Sequence, residues 1–213
     1  MNSDRAARAA EISKRLKKLY PEPVVELDYT TPFELIIASL LAAQNRDTTI
    51  NKITPNLFRK YRGPADYVAA DQAELEEDIH DSGFFRQKSR AIKALSQKLI
   101  DDFGGKVPET MDGLLTLPGI GRKTANVVLS FAMGKAEGIV VDTHHIRLSE
   151  RLGLSTQKTA DKIEKDLMEI VARKDWIMWS STITLHGRRV CVARNPKCET
   201  CVLNDICPSA FKV

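Results

Sequence analysis

Residues Leu114–Leu129 read LLTLPGIGRKTANVVL. Leu114, Leu115 and Leu117 close one apolar stretch, Pro118-Gly119-Ile120-Gly121 interrupts it, and Ala125, Val128, Leu129 and Ala132 then recur at helical spacing on one face. The pattern predicts two helices joined by a tight turn, a helix-hairpin-helix. Glycine at 119 and 121 lets the backbone approach a ligand closely, because no Cβ stands in the way. The N–H groups that open the second helix have no intrahelical acceptors, which makes the turn an anion site suited to a DNA phosphate. An ordinary interhelical turn is the plain reading of a lone G-x-G; the continuous LPGIGRKTA favours the hairpin.

Outward from this stretch the periodicity stays helical. Thr31-Pro32-Phe33-Glu34 combines an N-cap Thr, a Pro in the first turn and a reciprocating Glu, and Phe33, Ile36, Ile37 and Leu40 follow as a buried stripe. A central core helix ending near Gln44 is expected. After the polar stretch 44–49, Ile50, Ile53 and Leu57 mark another helix, whose continuity Pro55 challenges. Asp71-Gln72-Ala73-Glu74 offers a second capping box, and Gly83 and Gly104-Gly105 bracket a helix with Ile92, Leu95 and Leu99 on one face. Only Ile139-Val140-Val141 looks strand-like, and it is too short to build a sheet. The fold class is therefore all-α.

The 213 residues are 43% hydrophobic, enough for one large domain or two small ones with a real core. The net charge of +4 and pI near 8.8 leave any attraction to a polyanion to local clusters of Lys and Arg. No apolar run approaches the roughly 20 residues that span a bilayer. The N-terminal MNSDRAARAAEISKRLKKLY lacks the apolar segment of a signal peptide, so a soluble, intracellular protein is expected. A reducing compartment turns the four cysteines, all in the last 23 residues, away from disulfides and toward metal.

Those cysteines, Cys191, Cys198, Cys201 and Cys207, read C-x6-C-x2-C-x5-C. Four thiolates hold either zinc or an iron–sulfur cluster. Zinc ribbons usually pair two C-x2-C knuckles, whereas this segment has a single one inside longer spacings. The loop between the first two cysteines carries Arg194 and Lys197, which either dock DNA phosphate or are solvated surface charge.

Lys123 stands in the first turn of the second hairpin helix beside Arg122. A lysine there is either a phosphate ligand or, if its amine is neutral, a nucleophile. Asp142, before Thr143, reads as an N-cap, a role compatible with chemistry. His144 and His145 are adjacent and so face different sides of a helix, which rules out joint metal ligation at i, i+4 spacing. Trp176 and Trp179 read as packing for the C-terminal part. The alternating charges from Lys158 to Glu169 read as a solvated face opposite Ile163, Leu167 and Ile170.

LPGIGRKTANVVL closely resembles the hairpin of the endonuclease III family, the bifunctional branch of the helix-hairpin-helix glycosylases. Val141-Asp142-Thr143-His144 resembles the family's catalytic aspartate segment, and His186-Gly187-Arg188 precedes the cysteines as in that family. Leu41-Ala42-Ala43-Gln44 and Gly83-Phe84-Phe85 resemble its two DNA-inserting loops, so the likeness covers essentially the whole chain. The resemblance implies a six-helix barrel over residues 24–135, an iron–sulfur domain formed by 1–23 and 136–213, and a DNA groove between them.

It further implies a base excision enzyme that removes oxidised pyrimidines from duplex DNA and cleaves the abasic site by β-elimination. Lys123 would be the Schiff-base nucleophile, Asp142 the second catalytic residue, and the four cysteines the ligands of a [4Fe–4S] cluster. DNA contacts would come from Gln44 and Phe84, from the hairpin residues Leu117, Pro118, Gly119, Ile120, Gly121 and Arg122, and from Arg194 and Lys197. The expected partner is double-stranded DNA with damaged bases or abasic sites, met by a monomer at the cytoplasmic nucleoid, with no membrane involved.

Asn45-Arg46-Asp47 departs from the residues expected after Gln44 in well-known bacterial members, and the cation it brings would contact phosphate or the estranged base. Two rival readings are a mismatch glycosylase of the same superfamily and a non-catalytic DNA-binding module. The first typically lacks a lysine at the position of Lys123. The second would bind DNA without turnover.

Overall fold

A computed structural model describes residues 2–213, and all regular structure among them is helical. In chain order the α-helices are α1 (Asn2–Leu19), α2 (Pro32–Leu41), α3 (Asp47–Lys60), α4 (Pro64–Ala69), α5 (Gln72–Asp78) and α6 (Phe85–Phe103). They continue as α7 (Met111–Leu115), α8 (Arg122–Val127), α9 (Thr143–Arg151), α10 (Ala160–Ile170) and α11 (Trp176–Arg189). Ile139–Val141 forms no strand, though all three residues are buried. The chain divides into two compact units, Glu26–Met133 and the pair of segments Met1–Val25 and Gly134–Val213.

In the continuous unit α2 is the central helix. Leu35, Ile36, Ile37, Ala38 and Leu41 are fully buried, so this helix is apolar almost all round, as a core helix must be. Thr31 caps it, its Oγ1 accepting from the Glu34 N–H at 3.1 Å. The Glu34 carboxylate reaches one residue further back than a standard capping box and accepts from the Thr30 N–H and hydroxyl, at 2.6 and 2.7 Å. The helix stops at Leu41, short of Gln44, and residues 42–45 form turns.

Helix α3 runs unbroken through Pro55. The ring removes one backbone donor, while burial of Ile50, Thr54 and Leu57 along one face keeps the helix docked. Asp71 caps α5, accepting from the Ala73 and Glu74 N–H groups, but the Glu74 carboxylate pairs with Lys60 at 2.8 Å. Helix α6 buries Ile92, Leu95 and Leu99 and ends on Gly104, whose φ of +60° is the left-handed conformation glycine tolerates best. Tyr67 fills the space between elements, its ring edge-on to Phe33 at 5.7 Å and tilted against Tyr61 at 4.9 Å.

The other unit is built from α1, α9, α10 and α11. Its core joins Ile12 and Leu16 of α1, Leu148 of α9, Ile163 and Leu167 of α10, and Trp179 and Ile183 of α11. Trp179 is 1% exposed, and Trp176 donates its indole N–H to the Val171 carbonyl at 2.9 Å, so both tryptophans are packing residues. The buried stripe of α10 is Ile163, Leu167 and Ile170 as expected, but Glu164 is buried with it.

Candidate functional site

The hairpin is built from its buried residues outward. Leu114, Leu117 and Ile120 point into the core, and the turn closes with Leu117 N–H to Leu114 carbonyl and Ile120 N–H to Leu117 carbonyl bonds of 3.1 Å. The two glycines differ in why they are there. Gly119 has φ +80°, and a Cβ on it would meet Leu40 Cδ2 at 3.2 Å, so the fold itself demands glycine. Gly121 has φ −97° and a Cβ there would meet no atom within 4 Å, so no neighbour in the protein explains it.

Gly121 is the N-cap of α8 and has no side chain with which to cap the first-turn N–H groups. Arg122 is half-buried and Lys123 exposed, while Ala125, Val127 and Val128 anchor the helix. The helix passes into a π-helical turn, Val128–Ala132, where the Tyr29 hydroxyl donates to the Phe131 carbonyl at 2.8 Å.

Gln44 and Phe84 sit on two loops of the same unit, and both adopt left-handed backbone, with φ +59° and +51°. Such conformations are uncommon without glycine and need support from their surroundings. That support is visible. Lys88 is 6% exposed, and its ammonium donates to the Leu41 carbonyl at 2.7 Å and to the Ser82 carbonyl at 2.6 Å. Asn45 donates to the same Ser82 carbonyl at 2.9 Å. Burial pushes the Lys88 ammonium below its ordinary range. Phe84 is left 61% exposed, and Gln44 is exposed as well.

In the other unit Asp142 is the N-cap of α9. One carboxylate oxygen accepts from the His145 N–H at 2.9 Å and lies 3.0 Å from His145 Nδ1. The other accepts from the Thr184 hydroxyl at 3.2 Å. Burial by itself would push this carboxyl up. The side-chain and backbone hydrogen bonds from His145, and the charge of the imidazoles when protonated, outweigh burial and hold it well below the usual carboxylate range. His144 turns the other way, its Nδ1 accepting from Arg147 at 3.0 Å and its ring packed where a Cβ on Gly187 would stand.

The same helix grips the cysteine segment. Arg147 donates to the Cys191 carbonyl at 3.0 Å and the Gly187 carbonyl at 2.9 Å. Arg151 donates to the Val192 and Ala193 carbonyls at 2.8 and 2.9 Å, and its Nη1 lies 3.4 Å from Cys191 Sγ. All four cysteines are free and line one cavity, with Cys201 Sγ accepting from the Leu203 N–H at 3.4 Å and 3.4 Å from His186 Nε2. Burial pushes the Cys201 and Cys207 thiols up, so their thiolate forms call for a cationic partner. Four free thiols lining one cavity suit a cluster in which each thiolate takes its own iron. Arg194 and Lys197 are exposed on the loop between the first two cysteines, and Asn195 between them has φ +54°.

The sequence reading did not single out Lys88, Thr184, Arg147 or Arg151, and it noted Asn45 and His145 without these contacts. Two left a trace. Lys88 lies on the buried stripe that continues through Ile92, Leu95 and Leu99, and His145 on the stripe of Leu148 and Leu152, so each is a polar residue where the period demands an apolar one. The others bond to backbone carbonyls or to side chains far off in sequence, which no spacing announces.

Comparison with known proteins agrees with this geometry. The profile of the HhH-GPD superfamily base excision DNA repair proteins matches residues 37–173, and that of the iron-sulfur binding domain of endonuclease III matches residues 191–207, the span from the first cysteine to the last. Endonuclease III of Synechocystis is 48% identical over 203 residues, covering 95% of this chain and 93% of the relative. A solved structure of a trapped endonuclease III–DNA covalent intermediate superposes with a TM-score of 0.91 at 41% identity, over 96% of each chain. A thermostable thymine-DNA glycosylase, at 23% identity and TM-score 0.86, shares the fold. With its hairpin, its aspartate-capped helix and the cysteine segment that carries a [4Fe–4S] cluster, this chain belongs to the endonuclease III family of base excision DNA repair proteins.

Proposed function

We propose that the protein is a bifunctional DNA glycosylase and AP lyase that removes oxidised pyrimidines from duplex DNA and cuts the resulting abasic site. The observation that carries this reading is Lys123, an exposed amine in the first turn behind Gly121, a glycine that no internal contact requires. The relatives named endonuclease III, and the trapped covalent intermediate formed by one such enzyme, support it.

In this reading the first-turn N–H groups of α8 and the Arg122 side chain take a backbone phosphate, with Leu117 to Gly121 shaping the contact. Gly121 permits close approach. Gln44 and Phe84 enter the stack as the damaged base is extruded, filling the space it leaves. The Lys123 amine attacks C1′, the C1′–N bond breaks, and the base departs with the electron pair and a proton. The C1′–O4′ bond then opens, O4′ taking up a proton, and the iminium left at C1′ acidifies C2′; loss of the C2′ proton forms the C2′–C3′ double bond and expels the 3′ phosphate, after which water hydrolyses the imine and frees Lys123. Asp142, charged in its buried cap, stabilises positive charge on the sugar and helps move protons.

Cys191, Cys198, Cys201 and Cys207 would hold the [4Fe–4S] cluster, and Arg194 and Lys197, on the loop between the first two cysteines, contact phosphate. The unit Glu26–Met133 is read as the six-helix barrel and the other as the cluster domain. The protein acts as a monomer on nucleoid DNA; sedimentation at the mass of one chain is the check on that last point.

Lys123→Gln tests the reading directly. It should abolish strand scission and borohydride trapping on an abasic-site duplex while leaving DNA binding through the hairpin. A trapped adduct at the parent's yield would overturn the nucleophile assignment, and binding without any turnover by the parent would favour a DNA-binding module instead.

A further inference from the structure

The side chain of His145 is fully buried, yet its Nε2 has no hydrogen-bond partner among the described residues. An aliphatic residue at this point of the α9 stripe would fill the space beside Leu148 without stranding a polar atom. Packing therefore does not account for the imidazole. The polar contact it makes is at Nδ1, 3.0 Å from Asp142 Oδ1, on the carboxylate already capped by the residue's own N–H. With no acceptor at Nε2, the tautomer that carries its proton on Nδ1 is the one that satisfies this contact.

We propose that His145 is a positioning residue for Asp142: its Nδ1–H fixes the carboxylate in the α9 cap and keeps it ionised, and so sets the acid limit of base excision. The inference rests on the reading of Asp142 as a catalytic carboxylate. The groups that face this carboxylate are His144 and Arg147 from α9 and, from α11, the Thr184 hydroxyl, with Arg188 acting through His144. Among the described residues, the hydrogen bonds into it come from Thr184 and from His145 itself, which contributes two. Burial alone drives the carboxyl toward its neutral form, so removing the imidazole leaves that drive opposed by little more than two donors and the neighbouring charges.

The test is the pH dependence of single-turnover excision by the holoenzyme. His145→Leu removes the Nδ1 donor and keeps the backbone cap; His145→Asn restores an N–H donor at about the position of Nδ1. The acid limb should move to higher pH by roughly one unit or more in His145→Leu, with a fall of about tenfold in rate at its acid end, and should return toward the parent in His145→Asn. An acid limb that stays in place in His145→Leu would overturn the proposal, even if the protein melts earlier. Should the leucine variant fail to fold, ¹⁵N-histidine spectra of the parent decide: a proton on Nδ1 with a bare Nε2 supports the proposal, and the Nε2–H tautomer overturns it. Failure of the underlying reading looks different, because Asp142→Asn would then excise at the parent's rate.

Discussion

The Nζ of Lys88 lies 2.6 Å from the carbonyl oxygen of Ser82, and with its second bond, to Leu41, it ties the end of the central helix to the loop that carries Phe84. Two exposed residues in left-handed backbone, Gln44 and Phe84, are thus presented by loops that share one buried cation.

Lys88→Met fills most of the volume but removes both charge-assisted bonds. The gain from no longer burying an ammonium offsets part of the loss, and a net cost of about 2 kcal/mol is expected. For a chain of this size that lowers Tm by roughly 4–8 °C. Asn45→Ala should cost less, because Lys88 still satisfies the Ser82 carbonyl. Thermal melts of the two variants beside the parent check this, and a parent-like Tm for Lys88→Met would show that the ammonium does not hold the loops.

Asp142→Asn separates charge from shape. The amide oxygen can keep both bonds from His145, and the amide nitrogen can donate to Thr184, whose hydroxyl also bonds the Ser180 carbonyl at 3.1 Å and so has an acceptor to turn to. Asn should therefore melt closer to the parent than Ala does. Excision should nevertheless fall on the order of 10²-fold, since the negative charge is gone. Because the folded carboxyl titrates below its unfolded value, its stabilisation is complete above about pH 4–5 and is lost as pH falls. The melting gap between parent and Asn variant should close in the same direction, which melts at pH 7, 5 and 4 will show.

Gly187→Ala tests the packing of α11 on α9. The added methyl would stand 2.8 Å from His144 Cβ and 2.9 Å from its Nδ1, the atom that accepts from Arg147. A Cβ is fixed to the backbone and cannot swing aside, so a cost of roughly 1–3 kcal/mol is expected. An alanine variant as stable as the parent would mean that His144 has another place to go.

Arg194→Ala addresses the loop between the first two cysteines. If Arg194 contacts a phosphate, the log–log dependence of affinity on salt should become shallower by about 0.9. An unchanged slope would place this loop away from DNA.

What the sequence determined by itself was local. The turn at 118–121, the caps at Thr31, Asp71 and Asp142, the central helix and the cysteine spacing depend on residues a few positions apart, where φ preferences, side-chain to backbone bonds and helical period act directly. Even there the ends moved: the central helix stops at Leu41 because the chain turns at 42–45, and the α3 helix survives Pro55 because its docked face outweighs one missing bond. Tertiary structure alone decided that Lys88 reaches Leu41 across 47 positions, that Thr184 reaches Asp142 over 42, and that Arg147 and Arg151 hold the cysteine segment. Hydrogen bonds to backbone carbonyls carry no residue-type signature in the partner. A buried polar side chain such as Lys88 or His145 is stable only where the fold supplies its acceptor, and nothing in the order of residues specifies where that acceptor stands.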